Sequence, residues 1–307
     1  MSTTQPRIER VSGHESFFCR YGWLKKVFSA VQDNPKVLKD DELATTSLGI
    51  GRNMVRSIQF WGESMGIITA NDEGGHKSGP LGMRLLNSEH GWDPYLENLE
   101  SLWLLHWWLS SKGGLAAWHY IFCEANVTRF EKRQLVDALA ARSRHLSRAL
   151  ASSTLEQHSA IFCAMYVQQE KNDDDSSWSP FQTLGLMRVS RDEDGRAIFT
   201  VSSHPPVGLT PRVFALALVD FLQQQQGERK SVSLQECLAG INSPGNIFKL
   251  DEPQLRVFLD AVEHYVLPGA IKFVDTADTQ TIVMDAGSVP QEYWIEDTNM
   301  TKAVAHA

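Results

Sequence analysis

Apolar residues near the start of the chain recur at helical spacing on both sides of a glycine-containing turn. Residues 40–46 predict a short helix in which Leu43 and Ala44 face inward, and residues 47–51 supply the turn. The next segment, residues 52–65, has its apolar side chains on one face of a second helix. These side chains are Met54, Ile58, Trp61 and Met65.

An extended hairpin is predicted directly after the second helix. Gly66 ends that helix, residues 67–69 form a strand, residues 71–79 form a glycine-rich tip, and residues 81–86 form the returning strand. Helix, turn, helix and hairpin in this order are typical of a winged helix-turn-helix, whose second helix enters the DNA major groove. A helical hairpin used for protein contact is the alternative interpretation.

The middle of the chain is helical in pattern and strongly apolar. Asp93 and Pro94 predict a helix start, and the run of Leu and Trp in residues 102–109 is too apolar to lie on the surface. We interpret His106 within this run as a core histidine that holds a hydrogen bond, because no partner at metal-ligand spacing accompanies it.

The order of helix, helix and hairpin returns in a weaker form near the end of the chain. Residues 233–239 and 253–265 predict the helices, and residues 270–274 and 280–285 predict the hairpin. The second of these helices has outward acidic residues, which would repel phosphate. We therefore interpret this part as a structural or protein-contact module.

These patterns predict a mainly α chain with small β-hairpins, an α+β fold class. The predicted domains are a winged helix-turn-helix DNA-binding domain at residues 1–90, a helical domain at 91–170, a linker and hairpin region at 171–209 and a winged-helix-like domain at 210–307. A length of 307 residues allows this organisation.

The net charge argues against a protein that is basic over its whole surface. The chain has 29 Lys and Arg against 37 Asp and Glu, a formal net charge of −8. Local counts change this picture, because residues 1–67 carry nine basic against seven acidic residues, and residues 129–148 carry six against two. An acidic body with two cationic zones would allow DNA to be held on one face.

Candidate DNA contacts follow from the predicted helices in both zones. The second N-terminal helix presents Arg52, Asn53 and Arg56 opposite its apolar face, and these residue types suit base edges and phosphates. A basic helix in residues 129–148 is a candidate phosphate-contacting face, for which a solvated surface is an equally supported alternative. Its candidate residues are Arg142, Arg144 and Arg148.

An aromatic segment upstream of these helices contains the adjacent pair His14 and Glu15. In a structural interpretation, Ser12 caps a helix and Glu15 completes a capping box. In a functional interpretation, His14 and Glu15 form an acid–base pair and Arg20 binds a phosphate. Spacing alone favours the structural interpretation, because one His-Glu pair identifies neither a nucleophile nor a metal site.

Several classes of protein are disfavoured by the remaining sequence. Four scattered cysteines with no C-x-x-C pair argue against a zinc finger or a disulfide framework. A polar start and short apolar runs predict no membrane segment and a cytoplasmic protein. No phosphate loop, dinucleotide fingerprint or nucleophile elbow is found, and one E-x-K triplet at residues 228–230 is expected by chance. The residues alone therefore do not demonstrate an enzyme.

Three segments resemble the signatures of one bacterial family. They are residues 13–26, which begin Gly-His-Glu-Ser-Phe-Phe, residues 48–58, which begin Leu-Gly-Ile-Gly-Arg-Asn, and residues 93–97 with 102–107. The family is a domain of formerly unknown function in gene clusters for DNA phosphorothioate modification. Its members are similar to SspB, the DNA-nicking component of the Ssp antiphage system.

The resemblance implies a protein that binds DNA and nicks one strand, so that partner proteins can exchange a backbone oxygen for sulfur. The implied partners are a cysteine desulfurase, an ATP pyrophosphatase and an ATPase. A nickase would use a divalent metal, Mg²⁺ or Mn²⁺, with ligands that the sequence does not identify. On this hypothesis, His14, Glu15 and Arg20 lie at or near the reactive site. The DNA would be held by Lys25, Lys26, Arg52, Asn53 and Arg56.

Two other hypotheses remain open at this point. One is a non-catalytic DNA-binding adaptor of the same system, and the other is a protein-interaction scaffold that touches no DNA. Formation of a homodimer is also left open.

Overall fold

Helices make up most of the chain, and three small antiparallel sheets lie among them. The computed structural model describes residues 9–125, 127–145, 150–168, 178–201, 206–225, 230–276 and 278–295. This arrangement confirms the predicted class of a mainly helical chain with small β-hairpins. None of the helices within these ranges combines the length and apolar character that crossing a membrane requires.

The N-terminal unit, residues 23–78, contains three helices and one hairpin. They are α1 (Trp23–Asp33), α2 (Asp41–Leu48), α3 (Arg52–Ser64), β1 (Ile68–Ala70) and β2 (His76–Ser78). The side chain of Asp40 caps α2 by accepting a hydrogen bond from the Leu43 amide. Gly49 ends α2 at φ 62°, a left-handed conformation that glycine adopts without strain.

The predicted helices and hairpin of this unit are confirmed, with two corrections. Leu43 is 44% exposed, because α2 runs on to Leu48 and turns Ala44 and Leu48 inward instead. Residues 81–86 do not form the returning strand, since β2 already pairs with β1 and Gly82–Leu86 is a π-helical turn.

The capping-box interpretation of Ser12 and Glu15 is wrong. The first helix begins only at Trp23, after Gly22 in a left-handed conformation. Glu15 and Ser16 have φ angles of 48° and 68°, which residues inside a right-handed helix do not adopt. The segment before α1 is therefore an irregular turn.

The middle of the chain contains α4 (Leu99–Ser111), α5 (Ala116–Trp118), α6 (Lys132–Arg142) and α7 (Ser152–Tyr166). The helix start predicted at Pro94 is wrong, since α4 begins at Leu99. The Asp93 carboxylate accepts from the amides of Glu97 and Asn98 at 3.0 and 2.9 Å, and so caps a turn before the helix. Every residue of α4 from Ser101 to Ser111 is buried.

The second sheet joins this middle part to the region predicted as a linker. Its strands are β3 (Arg129–Glu131), β4 (Met187–Arg191) and β5 (Ala197–Val201), in the order β3-β5-β4. The predicted hairpin is thus present, and its second strand pairs with β3. Residues 169–177, which include the start of the predicted linker and hairpin region, lie outside the described residues.

Helix α8 (Pro211–Gln223) precedes the C-terminal unit, residues 230–284. The unit comprises β6 (Lys230–Ser233), α9 (Leu234–Ala239), α10 (Pro244–Ile247), α11 (Glu252–Ala261), β7 (Ile271–Asp275) and β8 (Gln280–Met284). The predicted helices and hairpin are confirmed. The hairpin gains a third strand, β6, which the sequence analysis missed.

The buried apolar residues form one connected cluster that includes residues from all four predicted domains. His106 of α4 lies at its centre, with Nδ1 2.8 Å from Tyr166 Oη and Nε2 3.0 Å from the Ile247 carbonyl. Burial lowers the pKa of His106 to about 3, so the ring is neutral near pH 7. The prediction of a hydrogen-bonded core histidine is confirmed, while the domain boundaries stay predictions.

Candidate functional site

The start of α3 exposes the polar residues that the sequence analysis selected. Arg52, Asn53 and Arg56 are exposed, because the opposite face of the helix packs Val55 and Ile58 into the core. This arrangement places two guanidinium groups and one amide on a single solvent-facing row.

One carboxylate partly balances the two guanidinium groups. The Oδ2 atom of Asp41 lies 3.1 Å from Arg52 Nε and 3.8 Å from an Arg56 nitrogen. All three side chains are about half exposed, where such ion pairs contribute little to stability. The row therefore keeps a net positive charge that is available to an anionic ligand.

Lys25 and Lys26 lie at the start of α1 and bond the carbonyls of two different turns. The Lys26 ammonium donates to the Leu48 carbonyl at 3.2 Å, in the turn that precedes α3. The Lys25 ammonium donates to the Leu86 carbonyl at 3.0 Å. Only Lys26 is thus bonded to the α2–α3 turn, although both lysines and Leu48 line one cavity.

The two lysines line a cavity of about 480 Å³, which we call the lysine groove. Its lining includes the side chains of Tyr21, Lys25, Lys26, Asp33, Tyr95 and Glu97. Tyr21 is 40% exposed and Tyr95 is 67% exposed, although large aromatic side chains are usually buried. The groove therefore combines positive charge with accessible aromatic surface.

The three predicted reactive-site residues have different surroundings. His14 is 2% exposed and stacks on His158 and Trp61, with ring centroids 5.5 and 6.4 Å away. Glu15 is exposed, whereas Arg20 is half-buried with its guanidinium 5.5 Å from the ring centres of Phe17 and Trp23.

The backbone sets the protonation of the buried histidine pair. The Ala117 amide donates to His158 Nε2 at 3.2 Å, which leaves the proton of His158 on Nδ1. That proton faces His14 Nε2 at 3.3 Å. Burial lowers the pKa of His14, and burial with the nearby His14 lowers that of His158 to about 3. These contacts account for His14 as a core residue, and its catalytic role stays a prediction.

The second cationic zone is divided by the end of α6. Arg142, the last residue of this helix, bonds Glu9 Oε1 at 2.8 Å and Glu124 Oε1 at 3.0 Å, so its charge is balanced internally. Arg144 is exposed beyond the helix end. Arg148 lies outside the described residues, and the DNA contacts of this zone stay predictions.

The residues that hold Arg142 also form a candidate metal site. Glu9, His119 and Glu124 place one ligand atom each within 4.8 Å of the others, and we call them the Glu9 cluster. The His119 Nδ1 atom is buried 2.8 Å from Glu9 Oε1 and 3.2 Å from Glu124 Oε1, close enough for ion pairs but aligned with neither for a hydrogen bond.

The charge of the Glu9 cluster depends on Arg142. Burial raises the pKa of Glu9, but His119 and Arg142 outweigh this effect and the net shift is downward. The same carboxylates, against the effect of burial, raise the pKa of Arg142. The cluster therefore contains two carboxylates with a paired cation, and a divalent ion would compete with Arg142 for them.

The two candidate sites lie near opposite ends of α3. Arg10, the neighbour of Glu9, donates to Ser64 Oγ at 2.9 Å at the end of this helix. At a rise of about 1.5 Å per residue, that end is about 18 Å from Arg52. The Glu9 cluster is not predictable from sequence motifs, because more than 100 residues separate Glu9 from its partners and no motif spacing links them.

Comparisons with known proteins found one family and two solved structures with similar folds. The family, described as "Protein of unknown function (DUF4007)", matches residues 11–296. The structure titled "SspB crystal structure" has a TM-score of 0.80 and 25% identity, covering 92% of this chain and 86% of that chain.

The second structure is titled "Magnesium ion-bound SspB crystal structure". It has a TM-score of 0.78 and 26% identity, covering 89% of this chain and 82% of that chain. A comparison with curated proteins found no significant match.

Proposed function

The chain belongs to the DUF4007 family, and from its similarity to SspB we propose that it acts in a DNA phosphorothioate-modification system by binding DNA and nicking one strand. The likeness extends over about nine-tenths of this chain, and the family match spans residues 11–296, which include the N-terminal unit. The partners of this reaction would be a cysteine desulfurase, an ATP pyrophosphatase and an ATPase.

The exposed row on α3 is the observation that supports DNA binding most directly. In a winged helix-turn-helix, the second helix inserts its N-terminal residues into the major groove. Here those residues are Arg52, Asn53 and Arg56, which can bond guanine, adenine or phosphate. Lys25 and Lys26 would hold the adjacent backbone, because the Lys26 ammonium lies at the turn before α3 and Lys25 lines the same cavity.

A divalent metal, Mg²⁺ or Mn²⁺, would support the nicking reaction. Carboxylate oxygens suit both ions and the His119 imidazole suits Mn²⁺ better, so the Glu9 cluster fits such an ion by ligand type. When bound, the metal would activate water and stabilise the leaving oxygen. Glu9 and Glu124 would bind the metal in place of the Arg142 guanidinium. Arg142 would then be free to contact a phosphate.

A non-catalytic DNA-binding adaptor is the second candidate function. One observation favours it: Arg142 already pairs both carboxylates of the Glu9 cluster, which makes that cluster self-sufficient as a structural ion-pair network. In this case the chain would present DNA to the modification enzymes without cutting it.

Plasmid nicking and DNA binding, measured on the same proteins, test these proposals. Supercoiled plasmid is incubated with wild type, Arg52→Ala/Arg56→Ala and Glu124→Gln in Mg²⁺ or Mn²⁺. A nickase yields open-circle product that Glu124→Gln abolishes while binding persists, and the double alanine variant weakens binding with a salt slope smaller by about two. Lys272→Ala, at an exposed residue of the C-terminal unit, is the matched control.

The outcomes separate the candidates. Intact DNA binding with no open-circle product in either metal would exclude the nickase and support the non-catalytic adaptor. Unchanged binding by Arg52→Ala/Arg56→Ala would remove the assigned DNA surface, and the absence of any DNA binding would overturn both candidates.

A further inference from the structure

The lysine groove has the size of a binding site for one small molecule. Its volume of about 480 Å³ falls within the range of about 300–1,000 Å³ that is typical of ligand pockets. Two of the lining side chains, Tyr21 and Tyr95, are aromatic, and two, Lys25 and Lys26, carry ammonium groups. The groove therefore differs from a purely apolar cavity and from a surface patch that is only cationic.

The aromatic walls are held in position by their neighbours. Tyr21 stacks on Trp178 with ring centroids 5.1 Å apart, and its hydroxyl donates to the Tyr95 carbonyl at 3.3 Å. The Lys25 ammonium lies 5.6 Å from the centre of the Tyr95 ring. A planar ligand that stacks on these rings therefore meets surfaces that are already oriented.

The lysines retain donors for an anionic group. An ammonium group has three N–H donors, and within the described residues Lys25 and Lys26 each use one of them on a backbone carbonyl. The remaining donors lie at the groove and suit the oxygens of a phosphate.

Two carboxylates in the same lining restrict the class of ligand. Asp33 and Glu97 are exposed at the groove and would repel an inorganic anion that had no other feature. They suit instead a ligand that also carries N–H donors, such as the exocyclic amine of cytosine or adenine. A nucleotide combines a stacking base, a phosphate and such donors.

We propose that the lysine groove binds one extrahelical nucleotide of the DNA held by α3, an inference that rests on the proposed DNA-binding function. Leu48, which lines the groove, lies only four residues before Arg52, so the pocket adjoins the assigned duplex surface. A base inside a duplex hides its faces against its neighbours, whereas an extruded base offers them to aromatic side chains.

Duplexes with and without one unpaired nucleotide test the proposal. Fluorescence anisotropy compares a paired 20-base-pair duplex with the same duplex carrying a single cytosine bulge. Wild type is expected to bind the bulged duplex about tenfold more tightly, because only the unpaired base can stack on the aromatic side chains of the groove. Tyr95→Ala should abolish this preference and leave affinity for the paired duplex within twofold of wild type.

Matched variants distinguish the groove from the duplex surface. Tyr265→Ala, at an 82% exposed tyrosine of the C-terminal unit, should keep the tenfold preference. Arg52→Ala/Arg56→Ala should weaken binding of both duplexes equally. Asp33→Asn with Glu97→Gln should reduce the preference for a cytosine bulge over a thymine bulge.

Each outcome decides one question. Equal affinity of wild type for paired and bulged duplexes would overturn the nucleotide pocket while leaving the proposed function in place. A bulge preference that survives in Tyr95→Ala and Tyr21→Ala would also overturn it. No binding of either duplex would overturn the proposed function, and the pocket with it.

Discussion

The N-terminal and C-terminal units have a similar order of helices followed by a hairpin, but they differ in what they expose. The N-terminal unit shows Arg52 and Arg56 to solvent, whereas the C-terminal unit shows Val257 and Tyr265, which are 69% and 82% exposed. A similar scaffold thus exposes cationic side chains at one end of the chain and, among its exposed residues, two large apolar side chains at the other.

Several charged residues of the C-terminal unit bond partners within the same unit. Arg256 lies 2.9 Å from Glu252 and 2.6 Å from Asp275, and Glu263 accepts from the Phe273 amide at 3.0 Å. These pairs leave little free positive charge for phosphate. The comparison teaches that element order determines a scaffold, while the residues left on its surface determine what it can bind.

The largest expected effect concerns two glycines that precede the two hairpins. Gly66 and Gly269 have φ angles of 64° and 81°, and a Cβ atom at Gly66 would lie 2.6 Å from the buried Trp108 side chain, whereas one at Gly269 would have no neighbour within 4 Å. Gly66→Ala should lower the free energy of unfolding by about 3 kcal/mol, from left-handed strain plus overpacking.

Gly269→Ala should cost only about 1 kcal/mol, since backbone strain is its sole penalty. Urea denaturation followed by circular dichroism measures both variants. Equal losses would show that the N-terminal hairpin is no more tightly packed against the core than the C-terminal one.

Charge reversal is the next largest effect and tests the difference in surface charge. Arg52→Glu/Arg56→Glu should weaken duplex binding about 100-fold at low salt, because two attractions become two repulsions. Lys272→Glu, an exposed position in the C-terminal hairpin, should change affinity by less than about twofold, because no phosphate contact is assigned there. Similar losses in a gel-shift titration would contradict the assignment of DNA to one unit only.

Acid sensitivity tests the core that joins the two units. The folded pKa of His106 is about 3, below its ordinary value of 6.5, so the unfolded chain binds the additional proton. The stabilisation is complete above pH 6.5 and is lost as the pH falls toward 3. Wild type should lose about 2 kcal/mol through this residue between pH 7 and pH 5.

His106→Gln has no imidazole to protonate at this position, and its stability deficit relative to wild type should therefore shrink by the same amount at pH 5. Thermal unfolding of both proteins at pH 7 and pH 5 makes the measurement. A deficit that does not change with pH would mean that folding does not lower the pKa of His106.

The smallest effect is expected at the exposed apolar residues of the C-terminal unit. Val257→Ser/Tyr265→Ser should change both stability and duplex affinity very little, by about 0.5 kcal/mol or less, because the side chains are exposed. Calorimetry and anisotropy measure these two quantities. A large loss of DNA affinity would show that the apolar surface contacts DNA, which would remove the contrast between the units.

Most helices were predictable because their apolar periodicity agrees with the final packing. Ile58 and Trp61 fall on one face of the predicted helix and are fully buried in α3. Predictions failed where tertiary contacts replaced local signals. Pro94 is favourable at a helix start, yet the Asp93 carboxylate caps a turn at this position, and α4 begins only at Leu99.

The candidate sites were predictable only in part. Exposed basic residues such as Arg52 follow from the amphipathic pattern of one helix, so their position could be read from the sequence. The Glu9 cluster could not, because its members meet only after distant segments fold together. Tyr95 was likewise unexpected, since nothing local indicates that this aromatic ring stays on the surface.

The burial of α4 on all sides has a consequence for how such a protein can change during evolution. Trp108 packs beneath Gly66 of the N-terminal unit, and His106 bonds the Ile247 carbonyl of the C-terminal unit. Neither unit can be exchanged for a foreign module without repacking this shared helix. New specificity is therefore most accessible through surface substitutions, and recombination of whole units is disfavoured.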